Sequence, residues 1–363
     1  MIGFDVSSRI GRPAGSASPP DRPLMADIAA AAGVSPATVD RVLNRRKGVK
    51  DTTVSRVLRE ARALGYLTEA EYRQIAQPRP ANIVLLLPTG TNPYLRLLGE
   101  KARALSDTRS RDQAKIRCFF IDSFDAEALA AALRRHAAWA DGIAFMAIDH
   151  PIVREAVEEV SAAGKRVVTI VSDLSSSSRV AYVGLDNQAA GRTAGYLMGR
   201  FAGGAAGSVA LVAGSRRYRA HFEREVGFLG LVRELFPQLA VVGVREGHDD
   251  RDENYRHAVA IIEQTQDLVG IYNVGGSSDG IARALREKNR AGDVIFIGHG
   301  LTPDTRARLV DGTMDAVINS NPDAILAAVL GLLAAHEGGG DASDTLPVVT
   351  MDVIFRENLP VAG

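Results

Sequence analysis

Residues 26–44 read ADIAAAAGVSPATVDRVLN, and their spacing decides the fold of the first part of the chain. Ile28, Ala29 and Ala32 share one face of a short helix over Met25–Ala32. Gly33 supplies the turn after it. Ser35 is a good N-cap, and Pro36 falls at the first helical position, where its missing N–H loses nothing. Val39, Val42 and Leu43 follow i, i+3, i+4 and turn a second helix inward. Asp51 is expected to cap a third helix with an apolar stripe of Val54, Val57, Leu58, Ala61 and Leu64, closed by Gly65. Two short helices across a glycine turn form a helix-turn-helix, whose second helix enters a major groove.

Charge supports this reading. Residues 22–67 hold nine basic side chains against Asp27, Asp40, Asp51 and Glu60, a net of +5. Residues 1–21 balance, so residues 68–363 sum to −5 and the whole chain, with 43 basic and 43 acidic residues, is neutral. Neutrality excludes a uniformly basic nucleic-acid coat. A basic head on an acidic body points instead to a local DNA reader.

With Val39, Val42 and Leu43 inward, the outer face of the second helix carries Pro36, Ala37, Asp40, Arg41 and Asn44. Arg41 can donate twice to guanine O6 and N7. Ser35, Thr38 and Asn44 suit phosphates, and Arg45, Arg46, Lys47 and Lys50 add salt-dependent affinity. Asp40 would repel phosphate unless it accepts from cytosine N4 or orients Arg41.

The 363 residues suffice for two or three domains. A Gly-, Ser- and Pro-rich leader over 1–21 is expected to be disordered, and Thr68–Ala81 is polar and reads as a linker. Beyond it, apolar runs at 83–87, 117–121, 142–147, 167–171, 209–212, 240–244, 269–273 and 294–298 alternate with helical patterns. Continuous apolar strands alternating with helices mean parallel sheets covered on both faces. Eight strands are too many for one small sheet, so the expected fold class is α/β, with two doubly wound lobes behind a helical head.

The single Cys118 excludes an internal disulfide and a multi-cysteine zinc site. No run of about 18 apolar residues is present for a membrane span. No nucleophile elbow, Walker loop or HExxH metal motif occurs, and GGSSDG at 275–280 lacks the context of a dinucleotide site. The expectation is a non-enzyme of the cytoplasm, without metal or cofactor.

At the head the sequence resembles the lactose/galactose repressor family, through ADIAAAAGVSPATVDRVLN, the following GV and the closing LGY at 64–66. The resemblance implies that Pro36, Ala37 and Arg41 choose the operator. It also has departures. The family usually has Ser where Asp40 stands, and a hydroxyl cap where Leu24 stands. Its linker usually opens with Pro-Asn and wedges an apolar side chain into the minor groove. Here the segment TEAEYRQIAQ lacks that proline, and Ile75 falls at the wedge position.

The resemblance continues through the body, on NPY at 92–94, YVGLDN at 182–187, EREVGF at 223–228, FIGHG at 296–300 and NP at 321–322. It implies a periplasmic sugar-binding-protein fold, two lobes joined by three crossovers and closing on a ligand. The implied division is a head over 22–67, a hinge or linker over 68–80 and a ligand-binding body over 81–363. Lobe 1 takes about 81–185 and 321–345, and lobe 2 about 186–320 and 346–363.

The same motifs nominate ligand contacts. Asn92 and Tyr94 follow the first strand, either as sugar contacts or as a turn plus a core aromatic. Ser172 and Asp173 stand near an expected sugar-binding charged pair. Arg224 matches the family's pocket arginine at the start of a helix. The alternative is a surface salt bridge with Glu223 or Glu225. Asn273, His299 and Ser320 end or follow strands of the second lobe. His299 stands near a position where sugar-binding relatives often have Asp, and Ser320 replaces a more usual Gln. Asp186 and Asn187 mark the first crossover. The implied partners are operator DNA, a second copy of the chain and a sugar, polyol or sugar-acid effector. The rival is a sugar-binding transport component, which would need an export signal and has no use for the head.

Overall fold

A computed structural model describes residues 23–46, 48–76, 80–108, 114–334 and 349–361. The expected leader over 1–21, Lys47 and the last part of the expected lobe 1 return segment lie outside the described residues. The chain divides between residues 78 and 79 into two compact units.

The head contains α1 (Met25–Ala32), α2 (Pro36–Leu43), α3 (Asp51–Ala63) and α4 (Glu69–Ala76). Ile28, Ala29, Ala32, Val39, Val42, Val57, Leu58 and Ala61 form its buried core. Gly33 ends α1 in the left-handed conformation, at φ 61°. Ser35 Oγ accepts from the Thr38 N–H at 3.2 Å and caps α2. At α1, Leu24 offers no side-chain cap, but its own N–H donates to Asp27 Oδ2 at 2.7 Å. This supplies half of a capping box from the other side. Lys50 takes the N-cap position of α3, and Asp51 is its first helical residue, one position later than the capping role expected for it.

The stretch read as a polar linker contains α4. Thr68 Oγ1 accepts from the Glu71 N–H at 3.2 Å, and the Glu71 carboxylate accepts from the Thr68 N–H at 2.8 Å. This reciprocal capping box starts a helix without any proline. Arg62 ties α3 to α4 through Glu69 at 2.9 Å and lies over the Tyr72 ring.

The body holds two sheets. The first is built from β1 (Ala81–Pro88), β2 (Ala114–Ile121), β3 (Gly142–Phe145), β4 (Arg166–Ile170) and β5 (Ala181–Val183), all parallel in the order β2-β1-β3-β4-β5. Helices α5 (Pro93–Thr108), α6 (Ala126–Ala137) and α7 (Pro151–Ala162) connect its strands. The chain then crosses into α8 (Asn187–Phe201), β6 (Gly207–Ala213), α9 (Arg219–Leu235), β7 (Leu239–Glu246), α10 (Arg251–Gln264), β8 (Leu268–Asn273), α11 (Ser278–Glu287), β9 (Ile295–His299), α12 (Pro303–Val310) and β10 (Ala316–Ser320). It returns to the first sheet through α13 (Pro322–Ala334) and reaches the second again as β11 (Met351–Ile354). The second sheet has the order β11-β10-β9-β8-β6-β7, and β11 alone runs antiparallel.

Three of these strands, β5, β10 and β11, lie outside the eight apolar runs of the sequence. Two are only three and four residues long, and β10 ends in Asn319 and Ser320, so none presents a long apolar run. Helix α13 is apolar almost all round and packs its buried Ile325, Val329 and Leu333 into the first lobe's core. Helices α8 and α9 approach closely because Gly191, Gly195 and Gly199 line one face of α8. No described helix is long and apolar enough to cross a membrane.

Candidate functional site

In the head, Ser35, Pro36, Ala37, Arg41, Asn44, Arg45, Arg46 and Lys50 are exposed, while Thr38 and Asp40 are half-buried. The hydroxyls of Ser35 and Thr38 lie 3.0 Å apart within the α2 cap. Asp40 does not orient Arg41. Its Oδ2 pairs with Arg46 Nη1 at 3.0 Å, and its Oδ1 accepts from Asn44 Nδ2 at 2.7 Å. One carboxylate on α2 therefore gathers the two polar groups that follow the helix. The Arg41 guanidinium sits beside Gly48 with no acid partner within 4 Å among the described residues. Ile75 packs, half-buried, against the head's own core through α4, so in this structure it is not presented as a wedge.

In the body, a cavity with about 460 Å³ of atom-free space opens where β1, β3, β4, β8, β9 and β10 reach their C-terminal ends. Open α/β sheets place ligands at such strand ends. Asn92, Tyr94, Arg224, His299 and Ser320 line it. Asn92 Oδ1 caps α5 by accepting from the Tyr94 N–H at 3.0 Å. Its amide donates to Asp249 Oδ2 at 3.0 Å, across to the second lobe. The Tyr94 hydroxyl donates to the Ser320 carbonyl at 2.9 Å. Burial pushes its pKa up to about 12, so it stays protonated.

Arg224 lies in the second turn of α9, not at its start. It is 8% exposed, and it forms neither of the salt bridges its neighbours suggested. Glu223 pairs with Arg219, and Glu225 with Arg216. The Arg224 Nε donates to Asn187 Oδ1 at 2.8 Å and Nη1 to the Val274 carbonyl at 3.0 Å. His299 Nε2 meets the Tyr272 hydroxyl at 2.7 Å. Burial first, then the charge of Arg224, holds the His299 pKa well below the usual imidazole value, so the ring is neutral.

Three nominated residues do not line this cavity. Asp173 accepts from Thr169 Oγ1 and pairs with Arg179, each at 2.6 Å, which consumes its carboxylate in the loop after β4. Ser172 is fully buried, and its Oγ accepts from the Ala220 N–H at 3.4 Å. The Asn273 amide donates to the Gly276 carbonyl and Ser278 Oγ, both at 2.9 Å, and so shapes the loop into α11.

Two residues without a sequence motif belong to the site. His221 lines the cavity, with Nδ1 3.1 Å from the Ser215 nitrogen. It precedes Arg224 by one helical turn, a spacing that puts both on the same face of α9. Burial lowers its pKa, Asp249 opposes that, and Arg224 reinforces it. Asp249 is 7% exposed and accepts from the Gly276 N–H at 2.7 Å as well as from Asn92. Asn187 opens α8 directly after the crossover. It fixes Arg224 with its oxygen, while its amide donates to the Tyr182 hydroxyl at 3.0 Å.

Residues 83–341 match the family described as periplasmic binding protein domain, and residues 24–69 match the bacterial regulatory proteins of the lacI family. Catabolite control protein A of Streptococcus mutans is 31% identical over 142 residues, 39% of this chain and 41% of that protein. The HTH-type transcriptional regulator MalR of Streptomyces coelicolor is 42% identical over 76 residues, 21% of each chain. The chain thus spans less than half the length of the curated relatives it matches. Among solved structures, the glucose-galactose binding protein GanP of Geobacillus stearothermophilus superposes with a TM-score of 0.67 at 24% identity, over 78% of this chain and all of that one. A solute-binding protein of Burkholderia graminis, in complex with D-arabinose, gives a TM-score of 0.70 at 20% identity, over 78% of this chain and 99% of its own. These likenesses show the two-lobed fold. On the family matches, the chain belongs to the periplasmic binding protein domain family and carries at its head the DNA-binding region of the bacterial lacI regulators.

Proposed function

We propose that the protein is a sequence-specific transcriptional regulator, a repressor, whose operator affinity is set by a sugar-like effector bound between the two lobes of its body. The observation that carries this reading is the union of two modules in one chain. A lacI-type head exposes Arg41 on its second helix, and a sugar-binding-protein fold surrounds Arg224 with a cavity. Two heads on a homodimer would read a near-palindromic operator in the cytoplasm. The head would occupy 22–67, the linker 68–80, and the sensor the rest. Asn92, Tyr94, His221, Arg224, His299 and Ser320 would touch the effector. Control requires the effector to bind one conformer better than another, since equal affinity shifts nothing. Catalysis plays no part in this reading.

Selecting DNA from a random pool with the full chain tests the first half of the proposal. A recovered motif with two-fold symmetry supports a dimeric reader. Recovery of unrelated sequences would favour the transport-component reading instead.

A further inference from the structure

We infer that the effector is a sugar acid whose carboxylate sits against the Arg224 guanidinium; the inference rests on the cleft being the effector site. The polar groups lining the cavity are Asn92, Tyr94, His221, Arg224, His299 and Ser320, with no aspartate or glutamate among them. Arg224 is the sole permanently charged group of that lining, and it is almost fully buried. A buried cation without a counter-ion is unfavourable unless a partner arrives.

The nearby acids are committed elsewhere. Glu223 and Glu225 pair with Arg219 and Arg216, and Asp173 pairs with Arg179. Asp249 keeps its charge, but it does not line the cavity and forms no ion pair with Arg224; it accepts from the Gly276 N–H and the Asn92 amide. Among the described residues, no carboxylate oxygen lies within 4 Å of the Arg224 guanidinium.

The geometry of the guanidinium fits an incoming anion. Asn187 and the Val274 carbonyl hold Nε and Nη1, and both acceptors are neutral. They fix the planar fork without cancelling its charge. Nη2 has no hydrogen-bond partner among the described residues, and the planar fork suits a carboxylate better than a hydroxyl. Two further features agree. His221 and His299 are both kept neutral in part by Arg224, so they add no second fixed cation and offer ring nitrogens to hydroxyls. The lining also includes the apolar Met146, Leu185 and Ile318, which suit the C–H face of a sugar.

The test is isothermal titration of the full chain with matched pairs, each a pentose or hexose beside its aldonate and its uronate, with hexose phosphates as a third arm. The expected result is that one acid binds at least about tenfold tighter than its neutral partner, the difference made by one charge-assisted contact. Arg224→Gln, which keeps a donor but loses the charge, should abolish that preference. The wild-type comparison stands even where the variant folds poorly. A neutral sugar binding as tightly as its acid would overturn the inference and leave the effector-site reading standing. Binding of a phosphate ester with no acid bound would overturn the carboxylate assignment. Heat from no member of any arm would overturn both the inference and the reading beneath it.

Discussion

The Nε of Arg224 donates to the side-chain oxygen of Asn187 at 2.8 Å, and that amide is held from its other end by the Tyr182 hydroxyl at 3.0 Å. A cavity cation on α9 is thus aligned by the first residue of α8, which directly follows the crossover between lobes. Asn187→Ala removes the acceptor and leaves Nε buried. The expected outcome is a loss of about 1–3 kcal/mol of stability by thermal unfolding, and weaker effector binding with unchanged DNA binding of the head. An unaltered effector affinity would remove Asn187 from the site.

Gly191 lets α8 approach the backbone of Arg224. A Cβ there would overlap the carbonyl oxygen of Arg224, whereas one at Gly230, exposed on α9, would meet nothing within 4 Å. Gly191→Ala should lower stability by about 1–3 kcal/mol and weaken effector binding, as α9 is pushed away. Gly230→Ala should raise stability by roughly 0.5–1 kcal/mol. Equal unfolding midpoints for the two variants would contradict the close helix contact.

Asp40 restrains Asn44 and Arg46 in the head. Asp40→Ser releases both and removes a negative charge from α2. Affinity for random DNA should rise, and the slope of log affinity against log salt should steepen by about one. Fluorescence anisotropy across a salt series checks this, and an unchanged slope speaks against the restraint.

Arg41→Ala should cost about 1–3 kcal/mol on the selected operator and much less on random DNA. Equal losses on both would make Arg41 a phosphate contact.

Buried neutral imidazoles give the body a pH signature. His299 and His221 have depressed folded values, so the unfolded chain binds protons first. Their stabilisation is complete above the free imidazole value of about 6.5 and is lost as pH falls below it. Melting midpoints should fall between about pH 6.5 and 5, and His299→Gln should flatten that slope.

The parts legible in the sequence are those fixed by near neighbours. Ser35, Pro36 and Gly33 announce α2 and its turn because capping acts within three residues. Helix α4 is announced by no apolar run, because its Thr68–Glu71 box sits in a polar stretch whose family resemblance only leaves a hinge helix open. In the cleft, Asn92 and Asp249 meet across 157 positions, which only the closed two-lobed topology brings about. His221 carried a usable signal in its one-turn spacing from Arg224. Ser172 and Asp173 follow a strand whose end faces the cleft, but hydrogen bonds to α9 and within the loop after β4 decide which way these side chains turn. The four-residue spacing of Gly191, Gly195 and Gly199 was visible, yet its partner helix was not.

Effector control of DNA binding is read from the affinity of the full chain for its selected DNA, by fluorescence anisotropy, with and without a ligand that titration shows to bind. The expected change is roughly fivefold or more, the scale of an allosteric coupling, and is absent in Arg224→Ala. An operator affinity unmoved by saturating ligand would rule out effector control of DNA binding.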